Sequence, residues 1–158
     1  MTYSKAILTF LLIILFAGCS TPPKKNKFEG VWELTSQKWD GKESISGREI
    51  YIITNKHFSF LIQDTADAKA LLAKKSLRDS LSAFSDDFYA GGGSYKLNDS
   101  VYTEMIEFFL NPEHVGSSID YIVKLDGDRL YKSGMFPELK DGKKVKDVFL
   151  EEVYKRIE

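Results

Sequence analysis

Cysteine is almost absent from this chain of 158 residues, which contains one, Cys19. A single cysteine excludes a disulfide within the chain. The residues after Cys19 contain no cysteine, so they can form neither a thiolate zinc site nor a cysteine nucleophile. The formal net charge is only −1, so no strong field favours nucleic acid or an acidic partner. The fold must therefore rest on an apolar core, for which an aromatic content of 13% is generous.

A long apolar run is missing as well. The longest, residues 6–16, has about 11 residues, whereas a membrane-spanning helix needs roughly 20. This run follows Lys5 and precedes two small residues and Cys19. A positive charge, an apolar run and small residues, in that order, are typical of an export signal.

The segment Phe-Ala-Gly-Cys at 16–19 resembles the lipobox of bacterial lipoproteins, although Phe16 departs from the usual Leu or Val. The resemblance implies that Cys19 carries diacylglyceryl and palmitate chains and becomes the N-terminus after cleavage. Two or three such chains anchor a protein stably in a membrane. We therefore expect a signal peptide at 1–18, a lipidated flexible tether at 19–27 and one domain at 28–158.

The residue after the cysteine bears on the destination of the protein. Ser20 is not acidic, and by analogy with the lipoprotein family we expect a lipid-anchored protein of the cell envelope at the outer membrane. The alternative is an ordinary secretory signal with an incidental cysteine. The tether contains prolines and lysines and no apolar residue, as suits a solvated spacer.

Short β-branched and aromatic runs separated by turn residues recur through the rest of the chain. They predict eight strands at 30–38, 48–54, 57–63, 93–98, 101–110, 118–126, 129–135 and 148–157. Pairs such as Asp126-Gly127 and Asp141-Gly142 favour tight turns between antiparallel neighbours. The predicted fold class is all-β: an eight-stranded antiparallel up-and-down barrel, which has no exposed edges.

One segment departs from this pattern. Residues 66–84 carry apolar side chains at 70, 73, 77, 81 and 84, the spacing of one helical face. This spacing predicts one α-helix inserted between the third and fourth strands. It would lie either across the barrel mouth, as a lid, or against the outer wall.

The sequence also resembles a known family. Gly30-Val31-Trp32 is similar to the Gly-x-Trp motif of lipocalins, and Arg156 stands where their arginine packs across that tryptophan. Segments 91–95, 102–108 and 151–156 look like those of lipocalin-like lipoproteins of Bacteroidota, with Tyr154 in place of an expected tryptophan. The resemblance implies a lipocalin-like barrel with Trp32 and Arg156 in structural roles, and a small hydrophobic molecule as the cargo.

Alternation along the strands predicts which side chains face the interior. Phe58, Phe60 and Ile62 share one face of the third strand, and an inward Arg156 brings Leu150 with it. The predicted ligand-binding residues are Phe58, Phe60, Tyr95, Tyr102, Glu104, Phe108, Tyr121, Glu152 and Tyr154. A mixture of aromatic rings and carboxylates suits a ligand with an apolar body and a polar end. The alternative is a filled barrel in which the carboxylates pair with Arg156.

Catalysis is not expected. His57 and His114 have no recognisable nucleophile partner, and Glu104 and Glu107 fall on opposite faces of one strand. The run Gly91-Gly92-Gly93 lacks the lysine and helix of a phosphate loop and reads as a sharp turn into the fourth strand. We predict no enzyme, no metal and no cofactor. A small-molecule binding module is the first hypothesis, and an envelope scaffold that binds another protein is the second.

Overall fold

The computed structural model describes residues 26–44, 47–64 and 88–158. Nine strands and one 3-10 turn follow in order: β1 Gly30–Trp39, β2 Lys42–Glu43, β3 Gly47–Ile53, β4 His57–Asp64, β5 Phe88–Asn98, β6 Val101–Phe109, the 3-10 turn Pro112–His114, β7 Ser118–Asp126, β8 Arg129–Lys140 and β9 Lys143–Arg156. The signal peptide, Cys19 and most of the tether lie outside the described residues. They stay predictions.

The sheet closes on itself. Every neighbouring pair of strands is antiparallel, and β1 also pairs with β9, with Trp32 opposite Arg156 and Trp39 opposite Leu150. Eight strands form the ring, and the two-residue β2 pairs only with the end of β1. The predicted eight-stranded antiparallel barrel is therefore present, and it is consistent with a lipocalin-like fold. Closure leaves no long exposed edge in this ring.

The predicted fold class included an inserted α-helix, and that part of the prediction was wrong. The described residues contain no α-helix, and the 3-10 turn Pro112–His114 is their one helical element. The segment that was predicted to be helical, residues 66–84, lies outside the described residues, between β4 and β5. Apolar spacing is weak evidence for a helix, because helices in proteins are stabilised mainly by packing contacts that the spacing does not specify. No helix long and apolar enough to cross a membrane is present in the described ranges.

The glycine run was also misread. Gly91, Gly92 and Gly93 lie inside β5, which begins at Phe88 and is longer than the predicted 93–98. A Cβ atom on Gly91 would lie 2.5 Å from the ring of Phe60, so the glycines leave room for aromatic rings of the neighbouring strands. Glycine within a strand commonly marks such a close approach.

The predicted turns are in place. Asp40-Gly41 and Asp141-Gly142 have positive φ at both residues, 49° and 76° in the first pair and 54° and 70° in the second. Positive φ at both central residues is the requirement of the tight hairpin turns whose twist matches that of the strands. These turns place the end of β1 and the start of β9 at one end of the barrel, which we call the open end.

The opposite end, the closed end, is filled by the chain that enters β1. Phe28 is 2% exposed, and its carbonyl accepts a hydrogen bond from Trp32 Nε1 at 2.9 Å. The guanidinium of Arg156 lies 4.0 Å from the centre of the Trp32 ring and donates to the carbonyls of Lys27 and Glu29. A buried indole with a satisfied N–H and a cation on its face is a stable plug for a barrel end.

Candidate ligand-binding site

A cavity of about 130 Å³ occupies the half of the barrel nearer the open end. Its apolar lining consists of Trp39, Phe60, Ile62, Ile106, Phe109, Ile119, Phe136 and Leu150, and its polar lining of Gln37, Glu49, Tyr51, Glu104, His114, Tyr121, Lys132 and Glu152. In the closed half, by contrast, the space between Phe28, Ile53, Val123 and Leu130 holds no water-sized opening. The cavity is thus the unfilled part of the barrel interior.

An ion-pair cluster forms the floor of this cavity. Lys132 Nζ lies 2.9 Å from Glu104 Oε1 and 3.2 Å from Glu152 Oε2, and all three residues are at least 94% buried. Lys132 and Glu152 are directly opposite each other on β8 and β9, whereas Glu104 reaches in from β6. Charges removed from water are very costly unless paired, so the three groups must hold one another in place.

Tyrosine side chains surround the cluster. Tyr51 donates to Glu104 Oε1 at 2.6 Å, and Lys132 Nζ lies 4.0 Å from the ring centre of Tyr121 and 4.9 Å from that of Tyr51. The hydroxyl groups of Tyr102 and Tyr51 are joined by a hydrogen bond of 3.1 Å. The lysine therefore has two carboxylates and two aromatic faces as partners, and its charge is well compensated.

A third acid, Glu49 on β3, is also buried on the cavity wall, at 4% exposure. Its Oε1 accepts a hydrogen bond of 2.8 Å from the hydroxyl of Tyr154. Burial, and then the nearby charge of Glu152, raise the pKa of Glu49 from 4.5 to about 8. At neutral pH this carboxyl is therefore mostly protonated. The site contains three carboxyl groups and one ammonium. One of the carboxyl groups, that of Glu49, is neutral, which lowers the cost of its burial.

The pKa of Lys132 is raised, whereas burial alone would lower the pKa of an amine. Burial acts to lower it, but the carboxylates of Glu104 and Glu152 outweigh burial and hold the pKa well above its ordinary value. The lysine stays charged at every physiological pH. An uncompensated amine in this position would instead lose its proton.

His114 closes one side of the mouth. It lies in the 3-10 turn, is 6% exposed, and packs against the rings of Phe109 and Phe136 at centroid distances of 5.4 Å and 5.0 Å. Burial lowers the pKa of His114 below 6.5, so the imidazole is neutral at pH 7. Its Nδ1 is buried and has no hydrogen-bond partner among the described residues.

A second buried acceptor is incompletely used. Glu152 Oε1 accepts a hydrogen bond of 3.0 Å from Gln37 Nε2, but Oε2 contacts Lys132 without hydrogen-bond geometry and has no other partner in the part of the chain that the structure describes. Buried polar atoms in proteins are nearly always hydrogen-bonded, so an exception calls for an explanation. Both exceptions lie on the wall of the same cavity.

Eight of the nine predicted ligand-binding residues fall into three groups, and the ninth, Phe108, lies outside them. Those that line the cavity are Phe60, Glu104, Tyr121 and Glu152. Phe58, Tyr102 and Tyr154 are buried in the aromatic core that supports it. Tyr95 lies at the closed end, where its hydroxyl bonds to the Thr54 carbonyl and to Asn26.

Phe108 was predicted to face the interior, and this was wrong: its side chain is 55% exposed. A β-bulge is the reason. Gly92 pairs with Phe108 but Gly93 pairs with Ile106, so Glu107 is an extra residue in β6. The extra residue reverses the alternation, and Phe109 turns inward in place of Phe108. Glu107 accepts hydrogen bonds from the backbone N–H and the hydroxyl of Ser94, which hold the bulge.

Five polar residues of the site were not predicted to belong to it: Gln37, Glu49, Tyr51, His114 and Lys132. For two of them a signal was present, since Glu49 alternates with Tyr51 and Ile53 on β3, and Lys132 follows Leu130 by two residues. The alternative in which the carboxylates pair with Arg156 was wrong in that partner, because Arg156 is bound to backbone carbonyls at the closed end. Lys132 is their partner instead.

Among the described residues, no group of three or more His, Cys, Asp and Glu side chains has the arrangement to hold a metal ion. Comparison of the chain with protein-family models, with curated proteins and with solved structures found no match. The likeness to the lipocalin-like family therefore rests on the residues and the barrel described above.

Proposed function

We propose that this protein is a lipid-anchored envelope protein whose lipocalin-like barrel binds one small amphipathic molecule in the cavity of the open half. The observation that carries the proposal is the cavity itself, which has aromatic walls at the mouth and one incompletely hydrogen-bonded carboxyl group, that of Glu152, at the floor. An apolar enclosure with a few convergent polar groups is the usual composition of a small-molecule site.

The anchor is compatible with access to this cavity. Asn26 donates a hydrogen bond of 2.8 Å to the Tyr95 hydroxyl at the closed end, so the chain joins the barrel there. A lipid on Cys19 would hold the barrel by its closed end and leave the mouth directed away from the bilayer. The ligand would then enter from the aqueous side.

The anchor is tested by replacing Cys19 with Ser. We expect loss of lipid labelling and of signal cleavage, so that the precursor stays at the cytoplasmic membrane. A variant that is processed normally and released in soluble form would show that the leader is an ordinary secretory signal.

The binding proposal is tested by filling the cavity. Ile106→Trp places a larger ring in the cavity, and Ile122→Trp, at a 55% exposed position, is the matched control. Native mass spectrometry of the full-length protein, extracted in mild detergent, should detect a retained small molecule in the wild type and in Ile122→Trp. Ile106→Trp should lack it while keeping its strand content by circular dichroism.

A scaffold protein with no ligand is the second candidate. The observation in its favour is size, because 130 Å³ is below the roughly 300–1,000 Å³ of most ligand pockets. An empty wild-type protein in the mass-spectrometry experiment would favour this candidate. A bound molecule that is equally present in Ile106→Trp would place the ligand outside the barrel.

A further inference from the structure

We propose that the ligand is a small organic cation of about six to ten non-hydrogen atoms, whose ammonium group binds to the carboxyl groups of Glu49 and Glu152 and whose apolar body lies among the aromatic rings of the mouth. This inference rests on the proposed function, since it names the class of ligand for the same cavity. Charge, hydrogen bonding, shape and size each support it separately.

The balance of charge in the cavity favours a cation. Glu49 is mostly protonated at neutral pH, but the two other buried carboxyl groups, those of Glu104 and Glu152, still face only one buried ammonium, that of Lys132. A cationic ligand would compensate the surplus, whereas an anionic ligand would add to it. Unlike charges attract strongly in a site from which water is excluded, so this difference decides which ligand charge is accepted.

Lys132 is not free to bind an anionic head group such as a carboxylate. Its Nζ is already within 3.2 Å of Glu104 and Glu152 and lies over the rings of Tyr51 and Tyr121. An incoming carboxylate would have to approach these two negative groups or displace one of them. Like charges this close repel strongly in a buried site, so the lysine serves as an internal counter-ion.

The unused hydrogen-bonding capacity lies on the acceptor side. Within the described part of the chain, Glu152 Oε2 is buried in ion-pair contact with Lys132 but without a hydrogen bond, and Glu49 receives a single hydrogen bond, from Tyr154. An ammonium group has three N–H donors and no acceptor. It therefore supplies what these two carboxyl groups lack, and charge-assisted bonds of this kind are stronger than neutral ones.

The mouth provides flat apolar surfaces for the body of the ligand. Phe60 and Phe109 meet at 5.4 Å between centroids, and Phe136 contacts both Trp39, at 5.5 Å, and His114, at 5.0 Å. Rings arranged in this way bind another ring or a short alkyl chain by edge and face contacts. A cavity of about 130 Å³ compares with the roughly 150 Å³ that holds benzene.

Proton exchange should accompany binding. Burial and the charge of Glu152 keep Glu49 protonated at neutral pH, with Glu104 adding to this effect and Lys132 and Tyr154 opposing it. An ammonium placed beside Glu49 favours its ionised form, so binding at pH 7 should release up to one proton. The heat of binding would then depend on the ionisation enthalpy of the buffer.

The test compares three probes of similar size and different charge: benzylamine, benzyl alcohol and benzoate. Each is titrated by calorimetry into the full-length protein in detergent micelles at pH 7, with empty micelles as the blank. We expect benzylamine to bind at least tenfold more tightly than benzyl alcohol, and benzoate to bind most weakly. The heat of benzylamine binding should differ between phosphate and Tris buffers.

Variants of the acids locate the site of the charge. Glu49→Gln resembles the protonated carboxyl that the folded protein already contains, so it should fold, lower benzylamine affinity about tenfold and abolish the buffer dependence. Glu152→Gln should act in the same direction. Glu151→Gln, at the exposed neighbouring position on β9, is the matched control and should change neither quantity.

The outcomes separate this inference from the proposed function. Tighter binding of benzyl alcohol or benzoate that Ile106→Trp removes would leave the cavity a binding site and overturn the cationic ligand. Benzylamine binding that is unaffected by both Glu49→Gln and Glu152→Gln would overturn the assignment to these carboxyl groups. Absence of binding by all three probes, together with an empty wild-type cavity, would overturn both proposals.

Discussion

At the closed end of the barrel the guanidinium of Arg156 lies over Trp32, whereas in the open half the ammonium of Lys132 lies over Tyr121 and Tyr51. Arg156 is partly exposed and donates to backbone carbonyls, while Lys132 is buried and needs carboxylates. The closed end is packed solid, and the open half keeps a cavity. A cation on an aromatic face thus completes a plug at one end and organises a pocket at the other.

The largest expected effect is at the plug. Trp32 is fully buried, and its Nε1 satisfies the carbonyl of Phe28. Trp32→Ala should lower the free energy of unfolding by about 4–5 kcal/mol, the upper part of the range for a buried aromatic ring. Thermal and urea denaturation would measure the loss. An unchanged melting temperature would mean that the closed end does not stabilise the barrel.

The next effect concerns the buried lysine. Lys132→Met keeps the length of the side chain but leaves Glu104 and Glu152 without a cation, so we expect a loss of about 3–4 kcal/mol in urea denaturation at pH 7. Lys124→Met, on the outer face of β7, is the control and should cost less than about 0.5 kcal/mol.

The charge balance of the open half should also appear in the pH dependence of stability. The folded pKa of Glu49, about 8, is above its ordinary value of 4.5, so the folded state binds the proton more strongly than the unfolded state. The free energy of unfolding should then fall as pH rises through this range, by about 1 kcal/mol between pH 7 and pH 8.5.

Glu49→Gln, which cannot ionise, should remove this slope in urea titrations at the two pH values. His114 does not interfere, because its lowered pKa affects stability only below about pH 6.5. An equal slope in wild type and variant would assign the pH dependence to another group.

The last comparison concerns two adjacent phenylalanines, of which Phe108 should give the smallest effect of all. Phe108 is exposed and Phe109 packs into the mouth against Phe60. Phe108→Ala should cost about 0.5 kcal/mol, and Phe109→Ala about 2–3 kcal/mol because part of its ring is buried. Chemical denaturation of the two variants side by side measures the difference. The reverse order would show that the bulge at Glu107 is misplaced.

Much of the barrel could be predicted from local pattern. Alternation correctly predicted that Phe58, Tyr102, Glu104, Glu152 and Tyr154 are buried, since a strand with one wet face must repeat every two residues. The turn pairs marked the strand ends because few residues accept positive φ. The predicted helix at 66–84 was an error of the same method, because the spacing of five apolar residues does not specify what a helix would pack against.

The site itself depended on longer-range information. A lysine on a strand is expected to face water, and Lys132 faces inward because Glu152 lies opposite it on β9 and Glu104 approaches from β6. Lys132 and Glu152 come from the consecutive strands β8 and β9, but Glu104 comes from β6, which is separated from them along the chain. Only the register of the sheet brings them together, and register is not readable from any one strand.

By itself the amino-acid sequence determined an all-β chain, the positions of its turns, and the aromatic and charged residues that an eight-stranded ring can bury. The tertiary structure alone decided that Phe109 rather than Phe108 enters the barrel, and that Lys132 rather than Arg156 pairs with the buried acids. The reason is physical. Local pattern follows from backbone geometry within a few residues, whereas a bulge and a buried ion pair arise where several strands meet and each charge must find a partner away from water.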